Sequence, residues 1–460
     1  MEIPRKRDAI KPISRRDFLL LAGMTGGAAA LAACGAPAAT PAATAAPSGP
    51  TGLAFKGTLD LWDWEFAPRQ AIITEKAAEF SKLHPDININ YLPLPWSDME
   101  TKILTVAMAG NGPALSDVFY FWRYDLQRAG VVAPYPNDFT DWEGRFSAPF
   151  IKDEEGRPRA LVCGWYVDMI YYNKEIFAQE GIKAEDIPQK WDDFIKLAQQ
   201  LTQKDSSGKV TRSGCSMNDY WQHEYLWHDL IYQQGGWAYS EDGTKALWEE
   251  EPSVNAVQFI QDWYLKHQID SLELPVGYGT FGNGLGAMML GSGWNTGFML
   301  NDFPQMKDIY DTVPMPTYTG EMTPSTGLAS PEETFQVFAN FPAETQEAAF
   351  EFAKFAVAGE ENAVRWGIDE QIVPDVKSLI NDPRLVNLPS LKGQLPGMPY
   401  RVTTGERPIE AEKLWRTMFD EVLLNETDVQ PALKVATDAI NIELPKKKRY
   451  ITERNYNPPA

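Results

Sequence analysis

The sequence predicts an α/β fold that is divided into at least two domains. Strand-like and helix-like segments alternate between residues 58 and 121, which is the pattern of a parallel or mixed sheet covered by helices. The chain has 460 residues, more than one hydrophobic core usually holds. Hydrophobic residues make up 44% and charged residues 23% of it, a composition typical of globular proteins.

The elements follow one another from residue 58. Residues 58–64, 87–92 and 117–121 have the apolar and β-branched or aromatic content of strands. Apolar residues recur at helical spacing in 69–84 and 98–109, and these helices are expected to end at Pro85 and Gly110. Further helices are predicted over 191–201, 254–266, 343–358 and 432–442.

The carboxyl ends of two predicted strands place tryptophan beside a carboxylate. Ligands of open α/β sheets bind in the crevice beyond these ends of the strands. The first strand leads into Trp64 and Glu65, and the third leads into Trp122 and Asp125. These four residues are therefore candidates for a ligand site.

The first 33 residues have the features of an export signal. Four basic residues precede the pair Arg15-Arg16, and an apolar stretch over 18–33 follows. At about 16 residues this stretch is too short to span a membrane, and it fits the core of a signal peptide. The stretch ends in small residues before Cys34, as in lipoprotein signals whose cysteine is acylated. The sequence predicts a twin-arginine lipoprotein signal and a lipid anchor on Cys34.

A spacer is predicted over residues 34–54. Ala, Pro, Thr, Ser and Gly dominate it, and 35–52 carry no charge, so the segment cannot build a core. Eighteen extended residues reach on the order of 60 Å, which would hold a body near the membrane's outer face. Removal of 1–33 leaves 36 basic and 60 acidic residues, a net charge of −24.

Charge and motif content argue against several classes of function. An acidic chain cannot neutralise phosphates, so we expect no nucleic-acid partner. His223 and His228 stand five positions apart, about 140° around a helix, and cannot chelate one metal from one face. Residues 277–282 match the spacing of a dinucleotide loop but lack a clear βαβ unit. The sequence has no Gly-x-Ser-x-Gly elbow and no Walker loop, and we expect no metal, cofactor or enzymatic activity.

Two cysteines remain after the proposed lipidation, Cys163 and Cys215. Export to an oxidising compartment would permit a disulfide between them, and two buried free thiols are the alternative. The sequence gives no distance by which to decide.

Aromatic residues beside polar ones are the most informative feature. The chain has 15 Trp, 18 Tyr and 22 Phe. An indole covers the apolar C–H face of a sugar ring, while carboxylates and amides bind its hydroxyls. This chemistry extends the candidates to further residues, among them Trp165, Asp168, Trp221, Tyr225 and Trp294.

Several motifs resemble one family in order and spacing. They are Tyr172-Asn173-Lys174 followed by Phe177, then Trp191-Asp192-Asp193-Phe194, Gly235-Gly236, the pattern from Phe281 to Trp294, and Ala432-Leu433-Lys434. The matches run from about residue 57 to 442. The chain thus resembles the family 1 extracellular solute-binding proteins, the maltose-binding-type components of ABC importers.

The resemblance implies a two-lobe periplasmic-binding-protein-like fold with a hinge of crossing strands and a ligand cleft between the lobes. Lobe one would comprise 55–163 plus 325–367, and lobe two 167–321 plus 369–455. Trp294 matches a sugar-stacking Trp of the family, Tyr225 falls near a stacking Tyr, and Trp122 falls within one residue of a stacking aromatic. The family's typical polar pair at the first strand end is replaced by Trp64-Glu65-Phe66, which leaves the ligand open.

The function implied is capture of a sugar or oligosaccharide by a monomeric lipoprotein of the cell membrane's outer face, for delivery to ABC permease subunits. Two alternatives remain open at this stage. The same fold could bind a cation such as a polyamine, because aromatic walls and carboxylates also suit ammonium groups. A surface glycoside hydrolase would instead need a pair of carboxylates across the cleft.

Overall fold

The structure is a computed structural model that describes residues 52–148, 151–153, 155–323, 327, 329–404 and 409–446. The leader, Cys34 and most of the predicted spacer lie outside these residues. Among the residues described, no helix is long and apolar enough to cross a membrane.

The strands are β1 Gly57–Trp64, β2 Ile87–Leu94, β3 Leu115–Ser116, β4 Leu161–Val167, β5 Met169–Asn173, β6 Gln203–Lys204, β7 Val210–Arg212, β8 Met288–Gly291, β9 Tyr310–Pro314, β10 Ala329–Thr334, β11 Gln336–Val337 and β12 Val373–Pro374. The α-helices are α1 Ala67–Leu83, α2 Trp96–Met108, α3 Tyr120–Arg128, α4 Lys174–Glu180, α5 Trp191–Leu201, α6 Tyr220–Gln233, α7 Glu251–Leu265, α8 Tyr278–Gly282, α9 Trp294–Asp302, α10 Ala343–Val357, α11 Glu360–Asp369, α12 Pro389–Gln394, α13 Ile409–Leu423 and α14 Val429–Glu443.

The first sheet is mixed, as the sequence predicts. Its strands lie in the order β11-β3-β1-β2, with β1 parallel to β2 and β3, and β11 antiparallel to β3. Leu59 and Leu61 of β1 are fully buried, and helix α1 buries Ile72 and Phe80 in the same core. The alternation along β1 therefore divides the strand into a core face and a second face that ends in Trp64.

One predicted strand is wrong. Residues 117–121 do not form a strand, because β3 ends at Ser116 and helix α3 begins at Tyr120. The run of aromatic residues there is too short for its periodicity to distinguish a strand from the start of a helix. The other predicted elements are confirmed, with ends shifted by at most three residues.

The chain passes from one sheet to another at Asp168. Strand β4 pairs with β10 and β12, whereas β5, which begins one residue later, pairs with β8 and β9. A single extended segment thus belongs to two different sheets, and only Asp168 separates its two parts. This is the crossing expected of the hinge.

Two large cores lie on either side of this crossing. The first is built from residues between 59 and 166 together with residues between 335 and 372, and we call the part of the chain around it lobe one. The second joins residues between 170 and 315 to residues between 402 and 444, and defines lobe two. Each lobe is discontinuous in sequence, which confirms the two-lobe α/β fold.

The two remaining cysteines belong to different cores. Cys163 lies in the core of lobe one and Cys215 in that of lobe two, and both are buried cysteines outside any disulfide. The disulfide left open by the sequence is therefore not formed.

Candidate ligand-binding site

Aromatic side chains from both lobes surround a cavity of about 280 Å³. This is near the lower end of the volumes of small-molecule sites. Nine of the described residues that line it are aromatic and one is acidic: Trp64, Trp96, Phe119, Tyr166, Asp219, Trp221, Tyr225, Tyr278, Trp294 and Phe298.

Lobe one contributes a wall at the ends of its three parallel strands. Trp64 is the last residue of β1, Trp96 follows β2 by two residues, and Phe119 follows β3 by three. The Trp96 and Phe119 rings meet edge to face with centroids 4.1 Å apart, and both lie within about 6 Å of Trp64. Parallel pairing brings these ends together, since their carboxyl ends meet at one edge of the sheet.

The wall of lobe one also touches lobe two. The Trp64 ring stacks on Phe66 at 4.7 Å, and Phe66 lies 4.9 Å from Phe298 of lobe two. A Cβ atom on Gly297 would lie 2.2 Å from the Phe66 ring, so only glycine permits this approach. Trp96 of lobe one and Trp221 of lobe two meet edge to face, with ring centroids 6.4 Å apart.

The wall of lobe two is carried by helices. Trp221 and Tyr225 lie one turn apart on α6 with centroids 6.3 Å apart, and Trp294 and Phe298 lie one turn apart on α9 at 6.1 Å. Tyr278, at the start of α8, stacks on Phe298 at 6.0 Å. Residues four positions apart share a face of a helix, which is why each helix presents two rings to the cavity.

Asp219 is the one charged residue among the described residues that line the cavity. It precedes α6, and its Oδ1 accepts the Trp221 backbone N–H at 2.8 Å. Burial raises its pKa from 3.8 to about 6, against the lowering effects of this hydrogen bond and of Arg416. An N-terminal cap thus also places a carboxyl group on the cavity wall.

Tyr166 enters the cavity from β4, between the two lobes. Neighbouring residues of a strand point to opposite faces, so Trp165 points away from it. Trp165 is fully buried, its Nε1 donates to Asp375 Oδ1 at 2.7 Å, and Arg401 lies 5.1 Å from its ring centroid.

A buried ionic network stands behind the wall of lobe one. Arg69 Nε donates to Asp63 Oδ1 at 2.8 Å, and the same guanidinium lies 3.5 Å from Asp117 and 3.8 Å from Glu370. All four side chains are fully buried. Burial raises the pKa of Glu370, and the Arg69 charge opposes that rise. Asp63 directly precedes Trp64, so the network anchors the end of β1.

Asp168 lies at the crossing and is buried. Burial raises its pKa from 3.8 to about 7, and the nearby Ser292 and Asp229 oppose this rise. It does not line the cavity.

Four of the residues predicted from the sequence line the cavity together: Trp64, Trp221, Tyr225 and Trp294. Trp64 is 6% exposed and belongs to the core as well. Trp294 begins helix α9 and is partly buried.

The other predicted site residues are placed elsewhere. Glu65 is exposed, and Asp125 is half-buried and lies 3.8 Å from Arg128. Trp165 of β4 is fully buried and does not line the cavity, and Asp168 is buried at the crossing. For Trp122 the backbone belongs to α3, and its side chain lies outside the described residues.

Sequence reasoning missed Trp96, Phe119, Tyr166, Asp219, Tyr278 and Phe298. The rule that ligands bind beyond strand ends could have found Trp96, since it follows β2 as Trp64 ends β1. The helical repeat could have found Phe298, one turn after Trp294. Tyr278 lies in the glycine-rich segment 277–282, which forms the short helix α8.

The two histidines of α6 have partners in the interior of lobe two. His223 Nε2 lies 2.9 Å from the Tyr264 hydroxyl, and His228 Nδ1 lies 2.8 Å from the Glu224 carbonyl oxygen. Burial lowers the pKa of His223 to about 3, so the ring is neutral and acts as part of the core.

Two discontinuous lobes, a crossing strand between them and a cavity lined from both sides define a two-lobe binding protein. The sequence agrees with this class. Residues 63–363 match the family model described as "Bacterial extracellular solute-binding protein". Because the match covers more than half of the chain, the chain belongs to this family.

Curated relatives are similar over different parts of the chain. An arabinooligosaccharide-binding protein of Halalkalibacterium halodurans is 26% identical over 335 residues, which is 68% of this chain and 71% of the relative. A lactose-binding protein of Rhizobium radiobacter is 25% identical over 200 residues, covering 42% of this chain and 45% of the relative.

Solved structures share the fold. An ABC transporter solute-binding protein of Thermotoga lettingae, bound with α-D-tagatose, superposes with a TM-score of 0.71 at 18% identity, over 84% of this chain and 99% of that one. The maltose/maltodextrin-binding domain of Bdellovibrio bacteriovorus, bound to maltotriose, gives a TM-score of 0.71 at 18% identity, over 85% and 100%.

Proposed function

We propose that this protein captures a sugar or oligosaccharide between its two lobes and delivers it to the membrane subunits of an ABC importer, with no chemistry on the ligand. The observation that carries the proposal is the cavity at the lobe boundary, to which both lobes supply aromatic walls. Each lobe holds half of the site, so a ligand in the cavity stabilises the closed arrangement of the lobes.

The chemistry of the walls suits saccharides. Trp64, Trp221 and Trp294 offer indole faces that cover the apolar C–H faces of sugar rings. The relatives described above include proteins named for binding arabinooligosaccharide and lactose. We assign the ligand-binding role to Trp64, Trp221, Tyr225 and Trp294, and we add Trp96 and Tyr278.

A hydrolase would need more than the cavity supplies. Glycosidases use two carboxyl groups that flank the bond to be cleaved. Of the described residues that line the cavity, Asp219 alone carries a carboxyl group. Binding without turnover is therefore the function that these residues support best.

The sequence before residue 52 supplies the proposed location. We propose that residues 1–33 direct export by the twin-arginine route and that Cys34 carries a lipid anchor. The uncharged spacer that follows would let the body reach a permease in the same membrane. Cys34→Ser should release the protein from the membrane fraction, because serine has no thiol to acylate. Equal membrane retention of the variant would contradict the anchor.

A ligand screen tests the proposed function. The full chain, purified in detergent, is heated with neutral mono- and oligosaccharides, and the unfolding midpoint is recorded for each. A ligand at a hundred times its dissociation constant stabilises the folded state by about 2.7 kcal/mol, which shifts the midpoint upward. Wild-type protein should respond to a saccharide, and Trp294→Ala should respond more weakly at the same concentration. A response to no saccharide class would contradict the proposal.

A further inference from the structure

The composition of the cavity wall restricts its ligand more than the class of protein does. A neutral sugar presents many hydroxyls, and a buried hydroxyl without a partner costs about 1–3 kcal/mol. Among the described residues of the wall, Asp219 is the one that offers a carboxylate as an acceptor. The Tyr278 hydroxyl already donates to Asp302 Oδ2 at 2.9 Å, and the Tyr166 hydroxyl lies 3.4 Å from Glu370. The tryptophan rings add π faces and indole N–H groups, which can donate but not accept hydrogen bonds; the Nε1 of Trp64 is buried without a partner among the described residues.

Asp219 is the exception on this wall. Its Oδ1 is occupied by the Trp221 backbone N–H. Its Oδ2 accepts no hydrogen bond from the described residues and lies against Gly277, where a Cβ atom would come within 3.0 Å of it. A residue that lines the cavity thus has one carboxylate oxygen without a hydrogen bond from the described residues.

Arg416, the cation whose charge acts on Asp219, is engaged elsewhere. The Arg416 guanidinium lies 3.6 Å from the Tyr220 ring centroid and 5.4 Å from that of Trp221, and it forms an ion pair with Glu412. Arg416 lowers the pKa of Asp219 only in part, and burial keeps that pKa at about 6. A positive charge on a ligand would therefore offset the cost of burying the charged Asp219 carboxylate, which Arg416 offsets only in part.

From this geometry we infer that the cavity takes a saccharide that carries a protonated amine, with the ammonium group against Oδ2 of Asp219 and the sugar faces on the surrounding indoles. The inference rests on the proposed function and specifies its ligand class. An ammonium group is attracted both to a carboxylate and to the faces of Trp and Tyr. The net charge of −21 also raises the local concentration of cations.

Matched sugars and one conservative variant test the inference. Tryptophan fluorescence of the full chain is titrated at about pH 7 with chitobiose, cellobiose and N,N′-diacetylchitobiose, which differ in the group on C2. Glucosamine, glucose and N-acetylglucosamine form a second set. Asp219→Asn removes the charge but keeps an oxygen that caps α6, so it should fold with a similar unfolding midpoint. We expect amine-bearing sugars to bind wild type about tenfold tighter than their neutral partners, and this preference to disappear in the variant.

The outcomes separate this inference from the proposed function. Equal binding of chitobiose and cellobiose by wild type would overturn the inference and leave sugar capture intact. An amine preference that persists in Asp219→Asn would overturn the role of Asp219. Binding of spermidine with no response to any saccharide would overturn both the inference and the proposed function. No response to any of these compounds at millimolar concentration would overturn the inference, and the neutral glycan screen would then decide the function by itself.

Discussion

The two walls of the cavity are built on different principles. The wall of lobe one stands at the ends of three parallel strands and is backed by the fully buried Arg69 network. The wall of lobe two stands on the first two turns of α6 and α9 and on the start of α8, and it carries the charge of Asp219. Aromatic side chains thus occur on both sides, but a rigid sheet positions one set and separate helix starts position the other. Substitutions behind the two walls should therefore affect stability and affinity differently.

The largest effect is expected behind the wall of lobe one. Arg69→Met should lower the free energy of unfolding by about 3–5 kcal/mol, because Asp63, Asp117 and Glu370 would lose their buried counter-charge. Arg365→Met is a matched control, since Arg365 pairs with Glu75 at the surface and should cost at most about 1 kcal/mol. Denaturant melts of both variants measure the difference. Equal losses would show that the network does not hold the wall.

A second comparison separates a core tryptophan from a ligand platform. Trp165→Ala should cost about 3–5 kcal/mol of stability, because the Trp165 ring is fully buried and its N–H donates a hydrogen bond to Asp375. Trp294→Ala should cost less stability but weaken ligand binding by about 1–3 kcal/mol, a ten- to hundredfold change in affinity. Calorimetric titration beside denaturant melts tests both. Unchanged affinity with a collapse in stability would assign Trp294 to the core.

These two tryptophans show how far the sequence could predict the site. Both stand beside polar residues, and composition alone cannot tell them apart. Trp165 and Tyr166 alternate along β4, so the face that meets the cavity depends on how β4 pairs with β10 and β12. Those partners lie more than 150 residues away in sequence, and nothing local specifies the pairing.

The fold was more predictable than the site. Helical spacing and proline or glycine stops define several helices within three residues, as for α1 before Pro85 and α2 before Gly110. The strand predicted over 117–121 failed because an aromatic run fits both periodicities. Trp64 was found because a strand end is a local signal, whereas Tyr278 and Phe298 depend on how α8 and α9 pack across the cavity.

A smaller effect is expected where the walls touch. Gly297→Ala would place a Cβ atom 2.2 Å from the Phe66 ring, so the lobes must move apart there, at a cost of about 1–3 kcal/mol. Affinity should fall accordingly, while each lobe keeps its own core. Gly279→Ala is the control, because its Cβ would meet Pro275 at 3.4 Å, an ordinary contact. Small-angle scattering with the ligand present measures closure. Equal closure of both variants would exclude a role for this contact.

The smallest effect is expected from the buried carboxyl at the crossing. Burial raises the pKa of Asp168 from 3.8 to about 7, so between these values the folded protein holds a proton that the unfolded chain releases. Folding is therefore favoured as the pH falls from 7 towards 4, by at most about 1.4 kcal/mol per pH unit. His223 acts in the opposite direction below pH 6.5, because burial lowers its pKa to about 3 and only the unfolded chain gains the proton.

Asp168→Asn isolates the first contribution, since asparagine is neutral at every pH and nearly isosteric with the protonated acid. On lowering the pH from about 7 to about 6, wild type should gain more stability than the variant, by up to about 1 kcal/mol. The difference between their unfolding midpoints cancels His223, which both proteins share. Parallel pH profiles would mean that Asp168 is ionised in the folded protein. Behind the wall of lobe one, Arg69 balances the charges of the buried acids. The pH profiles test whether Asp168 at the crossing is neutralised by a bound proton instead.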